Sequence, residues 1–292
     1  MIWKQISFEV KKSETDLVSE VLMGLGSVSI TYSDALDDAI YEPPVGQTPL
    51  WDNVKVNALF SSEVNQKSIE TSISDICNIV VIDTVTLKDR VWEEECQKDF
   101  PSMRFGKRLW VCPSWDTETK FSNDSIVIHM DPGLAFGTGT HQTTSLCLEY
   151  LDSNPPKNLH VIDFGCGTGI LAIAAAKFGA KSVIAIDNDP QAVLSSKENV
   201  AKNNCENIIS TIHSIEQKQG IECDLLIANI LANPLVELEP LFSDLVYSNG
   251  MLLLSGILKE QVDRVVKCYS INFSNIEVAN KGEWFRISGK RK

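Results

Sequence analysis

Alternating apolar and polar positions at the start of the chain predict a small α+β unit over residues 1–90. Residues 2–10 alternate with the period of a β-strand, and residues 13–26 carry the spacing of an amphipathic helix that ends at glycines. Two more strand-like runs, an amphipathic helix over 64–80 and a last strand follow. The resulting order, β-α-β-β-α-β, is that of a ferredoxin-like unit, so we expect this fold here.

The pattern loses its regularity over residues 91–125, where charged residues are mixed with three tryptophans and two prolines. Prolines interrupt both helices and central strands. We therefore expect a linker here, made of a short helix and an irregular connector. It would separate the N-terminal unit from a larger domain over residues 126–292.

Short apolar runs alternate with helical patterns through this larger domain. The runs are almost continuously apolar, which is typical of parallel strands covered by helices on both faces. The last two runs have no helix between them, so we expect them to form an antiparallel hairpin at one edge. The predicted fold is a Rossmann-like α/β domain with a seven-stranded, mostly parallel sheet. Its predicted strands cover 160–165, 182–187, 208–214, 223–230, 250–256, 274–281 and 283–290, and its predicted helices cover 169–179, 189–204, 234–248 and 259–270.

Composition limits the classes of partner. The net charge of −13 argues against direct binding of nucleic acid, because a phosphate backbone is bound by a basic face. The first 90 residues hold 14 acidic and 7 basic side chains, which suits a basic partner.

The eight cysteines contain no C-x-x-C pair, so we expect reduced thiols and no metal site. With no apolar run of 18 residues and no signal-like start, we expect a cytoplasmic protein that does not enter a membrane.

A glycine-rich turn follows the first strand of the predicted sheet and carries the clearest chemical signal. Gly165, Gly167 and Gly169 lie beyond the carboxyl end of this strand, where open α/β sheets bind ligands. Glycines let a ligand approach the main chain closely. The spacing G-x-G-x-G differs from the dinucleotide fingerprint G-x-G-x-x-G, and the turn has no P-loop lysine.

Two carboxylates flank this turn and narrow the choice of ligand. Asp187 ends the second strand, where a carboxylate can accept the hydroxyls of a ribose. Asp163 precedes the glycines; it would repel a pyrophosphate but attract a cation. S-adenosylmethionine has a ribose, an ammonium and a sulfonium but no phosphate, so this pattern favours it. A purely structural turn and a nicotinamide or flavin site are the alternatives.

Two further segments are candidates for the same site. Asn229 ends the fourth strand of the sheet, where amino-group methyltransferases carry a short motif that begins with Asp or Asn. Its side chain and the Ile230 carbonyl could hold an attacking nitrogen, although an Asn at a strand exit also serves as a helix cap. Residues 131–144 hold three glycines and four threonines, and such a segment can close over a bound ligand or simply connect two elements. A structural role is expected for the lone His141.

Four segments in combination resemble one family. Residues 92–115, 131–151, 161–175 and 228–235 are similar to the corresponding segments of the bacterial methyltransferases that modify ribosomal protein L11. The resemblance covers nearly the whole chain. The glycine turn alone would indicate only a class I methyltransferase, whereas the second and third segments together are specific.

The resemblance implies a function and a set of site residues. It implies methylation of lysine side chains and of the α-amino group of ribosomal protein L11, with S-adenosyl-L-methionine as methyl donor. The N-terminal domain would recognise the ribosomal protein, and the linker would let it move over the active site. The enzyme is expected to be a monomer. The implied donor-binding positions are Thr144, Gly165, Asp187 and Asn229, and the loop expected over the methionine end of the donor contains Phe136, Gly137 and Thr138.

Alternatives remain open at this stage. The same fold could act on another protein or on a small-molecule amine, or could bind the donor as a regulator without catalysis; an oxidoreductase is a more distant alternative. No general base is evident in the sequence. Which lysines are methylated, and how many methyl groups each receives, does not follow from the motifs.

Overall fold

The structure is a computed structural model that describes six stretches of the chain, namely residues 2–36, 49–77, 82–88, 100–131, 139–213 and 221–292. The chain divides into two compact units, Met1–Glu95 and Cys96–Lys292. No helix in these stretches is long and apolar enough to cross a membrane.

The first unit contains one antiparallel sheet. Its four strands lie in the order β2-β3-β1-β4, and every pairing between them is antiparallel. The predicted order of elements, β-α-β-β-α-β, is observed. The core joins the apolar faces of both helices to one face of the sheet, with Ile6, Phe60 and Leu22 fully buried. Its elements are β1 (Ile2–Lys11), α1 (Thr15–Gly24), β2 (Ser29–Asp34), β3 (Asn53–Ser61), α2 (Gln66–Ser74) and β4 (Ile82–Lys88).

Residues 100–131 differ from the irregular connector that the sequence predicts. They form a small three-stranded sheet of β5 (Met103–Phe105), β6 (Leu109–Cys112) and β7 (Ile126–His129), which belongs to the second unit. These strands are only three or four residues long and leave little periodicity in the sequence. A distant contact holds the β5–β6 turn, because the buried carboxylate of Asp152 accepts hydrogen bonds from the main-chain N–H groups of residues 107 and 108.

A seven-stranded sheet forms the centre of the second unit, as predicted. Its strands lie in the order β10-β9-β8-β11-β12-β14-β13; β8 to β12 run parallel, and β14 pairs antiparallel with both β12 and β13. Apolar clusters cover both faces. The strands are β8 (His160–Phe164), β9 (Ser182–Asp187), β10 (Ile209–His213), β11 (Cys223–Asn229), β12 (Val246–Leu258), β13 (Phe273–Lys281) and β14 (Trp284–Arg291).

The helices of this unit match the predicted ones except in two places. Residues 234–248 were expected to form one helix, but the chain forms two short helices on either side of Leu238 and then enters β12. Pro240 explains the break, because it has no N–H to continue the first helix. A helix also begins at Gln142, inside the predicted loop segment. The helices are α3 (Gln142–Ser153), α4 (Ile170–Lys177), α5 (Pro190–Lys202), α6 (Ala232–Glu237), α7 (Glu239–Leu245) and α8 (Val262–Tyr269).

Candidate active site

Three predicted site segments leave the sheet at one edge. Strands β8, β9 and β11 are parallel and end at Phe164, Asp187 and Asn229. In register, Asp163 lies beside a residue of β9 on one side and a residue of β11 on the other. Because β8 has its sequence neighbour β9 on one side and β11 on the other, this edge is the switch point of the sheet, where α/β folds bind ligands.

The glycine turn is held tightly against β9. The N–H groups of Gly165 and Cys166 both donate to the carbonyl of Ile186, at 2.8 and 3.0 Å. Gly165 has a φ of +74° and Gly169 a φ of +79°, in the left-handed region that glycine adopts without strain. Gly169 is also the N-cap of α4, so the turn leads directly from β8 into a helix whose N-terminal N–H groups lie at the switch-point edge.

Asp187 connects the end of β9 to this turn. Its Oδ2 accepts a hydrogen bond from the N–H of Gly167 at 2.8 Å, and its Oδ1 accepts one from the N–H of Asp189 at 3.0 Å. A carboxylate oxygen has lone pairs for more than one hydrogen bond. The carboxylate is therefore oriented by the main chain and keeps acceptor capacity for a ligand hydroxyl.

Asp163 lies in β8, two residues before the first glycine of the turn, and is the buried carboxylic acid of the site. Its Oδ2 accepts a hydrogen bond from the N–H of Ala172 in α4 at 2.9 Å, while its buried Oδ1 has no hydrogen-bond partner among the described residues. The pKa of this carboxyl is raised to about 7, chiefly by burial; the hydrogen bond from the Ala172 N–H lowers the pKa, and the negative charge of Asp187 adds to the increase. An ionised Asp163 therefore favours a positive group nearby.

We expect Asp163→Asn to stabilise the ligand-free protein at pH 8 but much less at pH 4. The native carboxyl titrates near 7 and the unfolded one near 3.8, so the native state binds more protons between these values and wild-type stability falls as pH rises through this window. Each pH unit between the two pKa values is worth about 1.4 kcal/mol. Thermal unfolding of both proteins at the two pH values measures the difference; an equal effect at both would contradict the burial of an ionisable group here.

Asn229 presents a free acceptor at the end of β11. Its Nδ2 donates to the hydroxyl of Thr144 at 3.3 Å. Its Oδ1 is buried and has no hydrogen-bond partner among the described residues. A buried acceptor without a partner costs free energy, so natural structures keep few of them and those few need a reason. A ligand that donates a hydrogen bond provides one.

Ile230 joins the Asn229 segment to the glycine turn. A Cβ on Gly165 would overlap its side chain, and a Cβ on Gly256 of β12 would overlap its main chain. Gly256 has a φ of +89° and lies at a break in the register between β12 and β14. The two glycines therefore create the space in which the residue after Asn229 packs.

The structure brings the four predicted donor-binding positions to this edge through two pairs of contacts. Thr144 contacts Asn229, and the turn that contains Gly165 contacts Asp187 through Gly167. Phe136, Gly137 and Thr138 lie outside the described residues. His141 has the structural role expected of it: it caps α3, accepting from the Thr143 N–H, and its ring packs edge-on against Trp284.

Sequence reasoning missed Gly256. It falls inside a predicted strand, and a glycine there is a sign of a bulge or of a close approach of another backbone. The sequence therefore contains a sign of the close approach between Gly256 and Ile230.

The strand order, the glycine turn after the first strand and the carboxylate after the second define a class I S-adenosylmethionine-dependent methyltransferase. A family model described as ribosomal protein L11 methyltransferase (PrmA) matches residues 2–292. The chain belongs to this family.

Individual relatives agree with the family model. Ribosomal protein L11 methyltransferases of Haemophilus influenzae (strain PittEE) and Shewanella sediminis are 44% and 42% identical to the chain, and each alignment covers 100% of the chain and at least 99% of the relative. A crystal structure of the ribosomal protein L11 methylase from Lactobacillus delbrueckii subsp. bulgaricus is similar with a TM-score of 0.61 and 33% identity. That alignment covers 66% of this chain and 100% of the other.

Proposed function

We propose that this enzyme methylates lysine side chains and the α-amino group of ribosomal protein L11, and that Asn229 holds the amine that is methylated. The observation that carries the proposal is the buried Oδ1 of Asn229, which lacks a partner among the described residues and lies at the same sheet edge as the glycine turn. The whole-chain family match supports the choice of substrate.

The residues at the switch point fit S-adenosyl-L-methionine. When bound, this donor supplies an electrophilic methyl group on a sulfonium. Asp187 would hold the ribose hydroxyls, and the main chain at Gly165 would lie against the donor because glycine has no side chain of its own. Asp163, with its unpartnered Oδ1, suits a cationic ligand better than a phosphate. We assign donor binding to Thr144 and Asn229 only by resemblance.

Asn229 would align the acceptor nitrogen. A neutral amine donates its N–H to an acceptor while its lone pair stays available for attack, and Oδ1 of Asn229 together with the Ile230 carbonyl offers such acceptors. A free lysine has a pKa of about 10.4 and must lose its proton first. Transfer from water into a buried site lowers the pKa of an amine, so desolvation assists this step. We assign no general base, since His141 is used as a helix cap.

The acidic first unit would bind the basic ribosomal protein. Its acidic excess favours encounter with a positively charged partner at low salt. Its strands carry no histidine, and we assign it no part in the chemistry. The two-domain organisation, with a recognition unit over residues 1–90 and a methyltransferase domain over 126–292, is part of this proposal.

Asp187→Ala is expected to weaken donor binding about 100-fold, because two hydrogen bonds to a charged group are lost. Calorimetric titration with S-adenosyl-L-methionine measures the affinity. Asp189→Ala is the matched control: it removes a nearby carboxylate that caps α5 through the Gln191 N–H but that we do not place in the donor site. If both variants bound the donor as the wild type does, the ribose assignment would be wrong.

Transfer of labelled methyl groups tests the choice of substrate. Purified enzyme and labelled donor are incubated with ribosomal protein L11, with total ribosomal proteins and with small-molecule amines. We expect label in ribosomal protein L11 alone. Label elsewhere would show a different target, and donor binding without any transfer would indicate a regulator rather than an enzyme.

A further inference from the structure

Helix α5 holds the second half of the glycine turn. The first half is held by β9, which accepts hydrogen bonds from main-chain N–H groups of the turn. Further along the turn, the side-chain amide of Asn199 in α5 donates from Nδ2 to the main-chain carbonyl of Thr168, at 3.0 Å. A Cβ on Gly169 would overlap the side chain of Ser196, which lies one helical turn earlier in α5. The glycine turn is therefore held from two sides.

The hydrogen bond between Asn199 and Thr168 has only one possible direction. A carbonyl oxygen accepts and cannot donate, so the atom of Asn199 that faces Thr168 is the amide nitrogen. The bond joins residues 31 positions apart in the sequence, and Thr168 is buried. Because a carbonyl in buried surroundings is costly to leave without a donor, the bond stabilises this conformation of the turn.

The composition of the turn explains why such a hold matters for a ligand. Gly165, Gly167 and Gly169 all have positive φ, between +52° and +79°. Glycine has more backbone freedom than any other residue, so a turn with three glycines populates many conformations unless contacts select one. A ligand that binds only the selected conformation has an apparent Kd equal to its intrinsic Kd divided by the fraction of molecules in that conformation. Contacts that hold the turn therefore raise ligand affinity without touching the ligand.

We infer that Asn199 is a positioning residue for the methyl donor, whose side-chain amide holds the carbonyl of Thr168 and so keeps the glycine turn in the conformation that binds S-adenosyl-L-methionine. This inference rests on the proposed placement of the donor against the turn. Asn199 acts through the main chain of the turn, and we assign it no contact with the donor or with the reacting atoms. Its loss should therefore weaken donor binding and leave the transfer step unchanged.

Asn199→Ala and Asn199→Asp test this inference at pH 8. Alanine removes the amide without weakening α5, because it favours a helix more than asparagine does. Aspartate keeps the shape but places acceptors against the Thr168 carbonyl. Its negative charge would by itself attract a cationic donor, so a loss of affinity would not come from that charge. In both variants we expect the donor Kd from calorimetric titration to rise about tenfold, with kcat at saturating donor within about twofold of the wild type.

Asn203→Ala is the matched control. Asn203 lies one turn further along, at the C-cap of α5, and its amide also holds main chain. Its Oδ1 accepts from the N–H of His129 and its Nδ2 donates to the carbonyl of the same residue, both at 2.8 Å. These bonds do not involve the glycine turn, so the variant should unfold at a lower temperature while its donor Kd stays within about twofold of the wild type. An equal loss of donor affinity in Asn199→Ala and Asn203→Ala would overturn the inference, because affinity would then depend on α5 as a whole.

Hydrogen exchange of the donor-free enzyme is a second measurement, and it depends neither on the donor nor on activity. In a ¹⁵N-labelled protein, the N–H groups of Gly167 and Gly169 should exchange faster in Asn199→Ala than in the wild type or in Asn203→Ala. Unchanged exchange in Asn199→Ala would overturn the inference. Faster exchange with an unchanged donor Kd would overturn it through its premise, the placement of the donor against the turn. If the wild type binds the donor but transfers no methyl group, the proposed function fails, and the exchange and the donor Kd still decide the role of Asn199.

Discussion

Asn229→Ala is expected to lower kcat for methylation of ribosomal protein L11 about 100-fold, a much larger factor than its loss of donor affinity. The alanine side chain offers no acceptor for the amine, so the nitrogen is no longer aligned with the methyl group. Single-turnover rates give the loss in the chemical step, and calorimetric titration gives the donor affinity.

The large loss of kcat expected for Asn229→Ala follows from the hydrogen-bond environment of Asn229. The buried Oδ1 of Asn229 has no partner among the described residues, whereas Nδ2 lies 3.3 Å from the Thr144 hydroxyl, so Oδ1 is the acceptor that is left for the amine. An enzyme gains rate from groups that are already placed for the transition state. Removing such a group affects the reacting complex more than the bound donor.

Asn229→Asp is the matched variant, because a carboxylate keeps the acceptor and can take a hydrogen bond from the Thr144 hydroxyl. We expect it to retain more activity than Asn229→Ala. If Asn229→Ala lost donor affinity and rate by the same factor, Asn229 would serve only to bind the donor, as the family resemblance implies, and its role towards the amine would be refuted.

Gly256→Ala should destabilise the second unit by about 3–5 kcal/mol and abolish methyl transfer. Two costs combine at this position. The φ of +89° is unfavourable for any residue with a Cβ, and the new Cβ would overlap the main chain of Ile230, which cannot move without shifting Asn229. Thermal unfolding of the variant should show a midpoint lowered by about 10 °C.

Gly179→Ala separates these two costs. Gly179 lies in the same unit and has a φ of +98°. The atom nearest to a Cβ added there would be Cγ of Lys157, at an ordinary contact distance of 3.7 Å. Gly179→Ala should therefore show only the cost of the left-handed conformation, about 1–2 kcal/mol, and near-normal activity. Equal loss of stability in both alanine variants would contradict the close contact between Gly256 and Ile230.

The parallel part of the fold was predictable because its signals are local. Near-continuous apolar strands, the glycine turn and the cap formed by Asp189 and Pro190 each occur within a few residues, and the strands predicted from them are observed. The order of these motifs was also enough to place Asp187 and Asn229 at one edge, since parallel strands present their carboxyl ends on the same side.

Other features were not predictable because they depend on contacts between distant residues. Strands β5 to β7 are too short for a periodic signal, and Asp152 holds their first turn from α3. The pairing of Thr144 with Asn229 joins residues 85 positions apart, and no local pattern reports it. The burial of Asp163 likewise depends on α4 packing over β8, whereas the charge of the residue was visible in the sequence.

Mass spectrometry of ribosomal protein L11 tests the central claim most directly. The ribosomal protein is incubated with donor and either the wild-type enzyme or Asn229→Ala, then digested to locate the modified residues. We expect the wild type to add methyl groups to lysine side chains and to the N-terminal amine, and Asn229→Ala to add almost none in the same time. An unmodified ribosomal protein after incubation with a wild-type enzyme that binds the donor would contradict the claim.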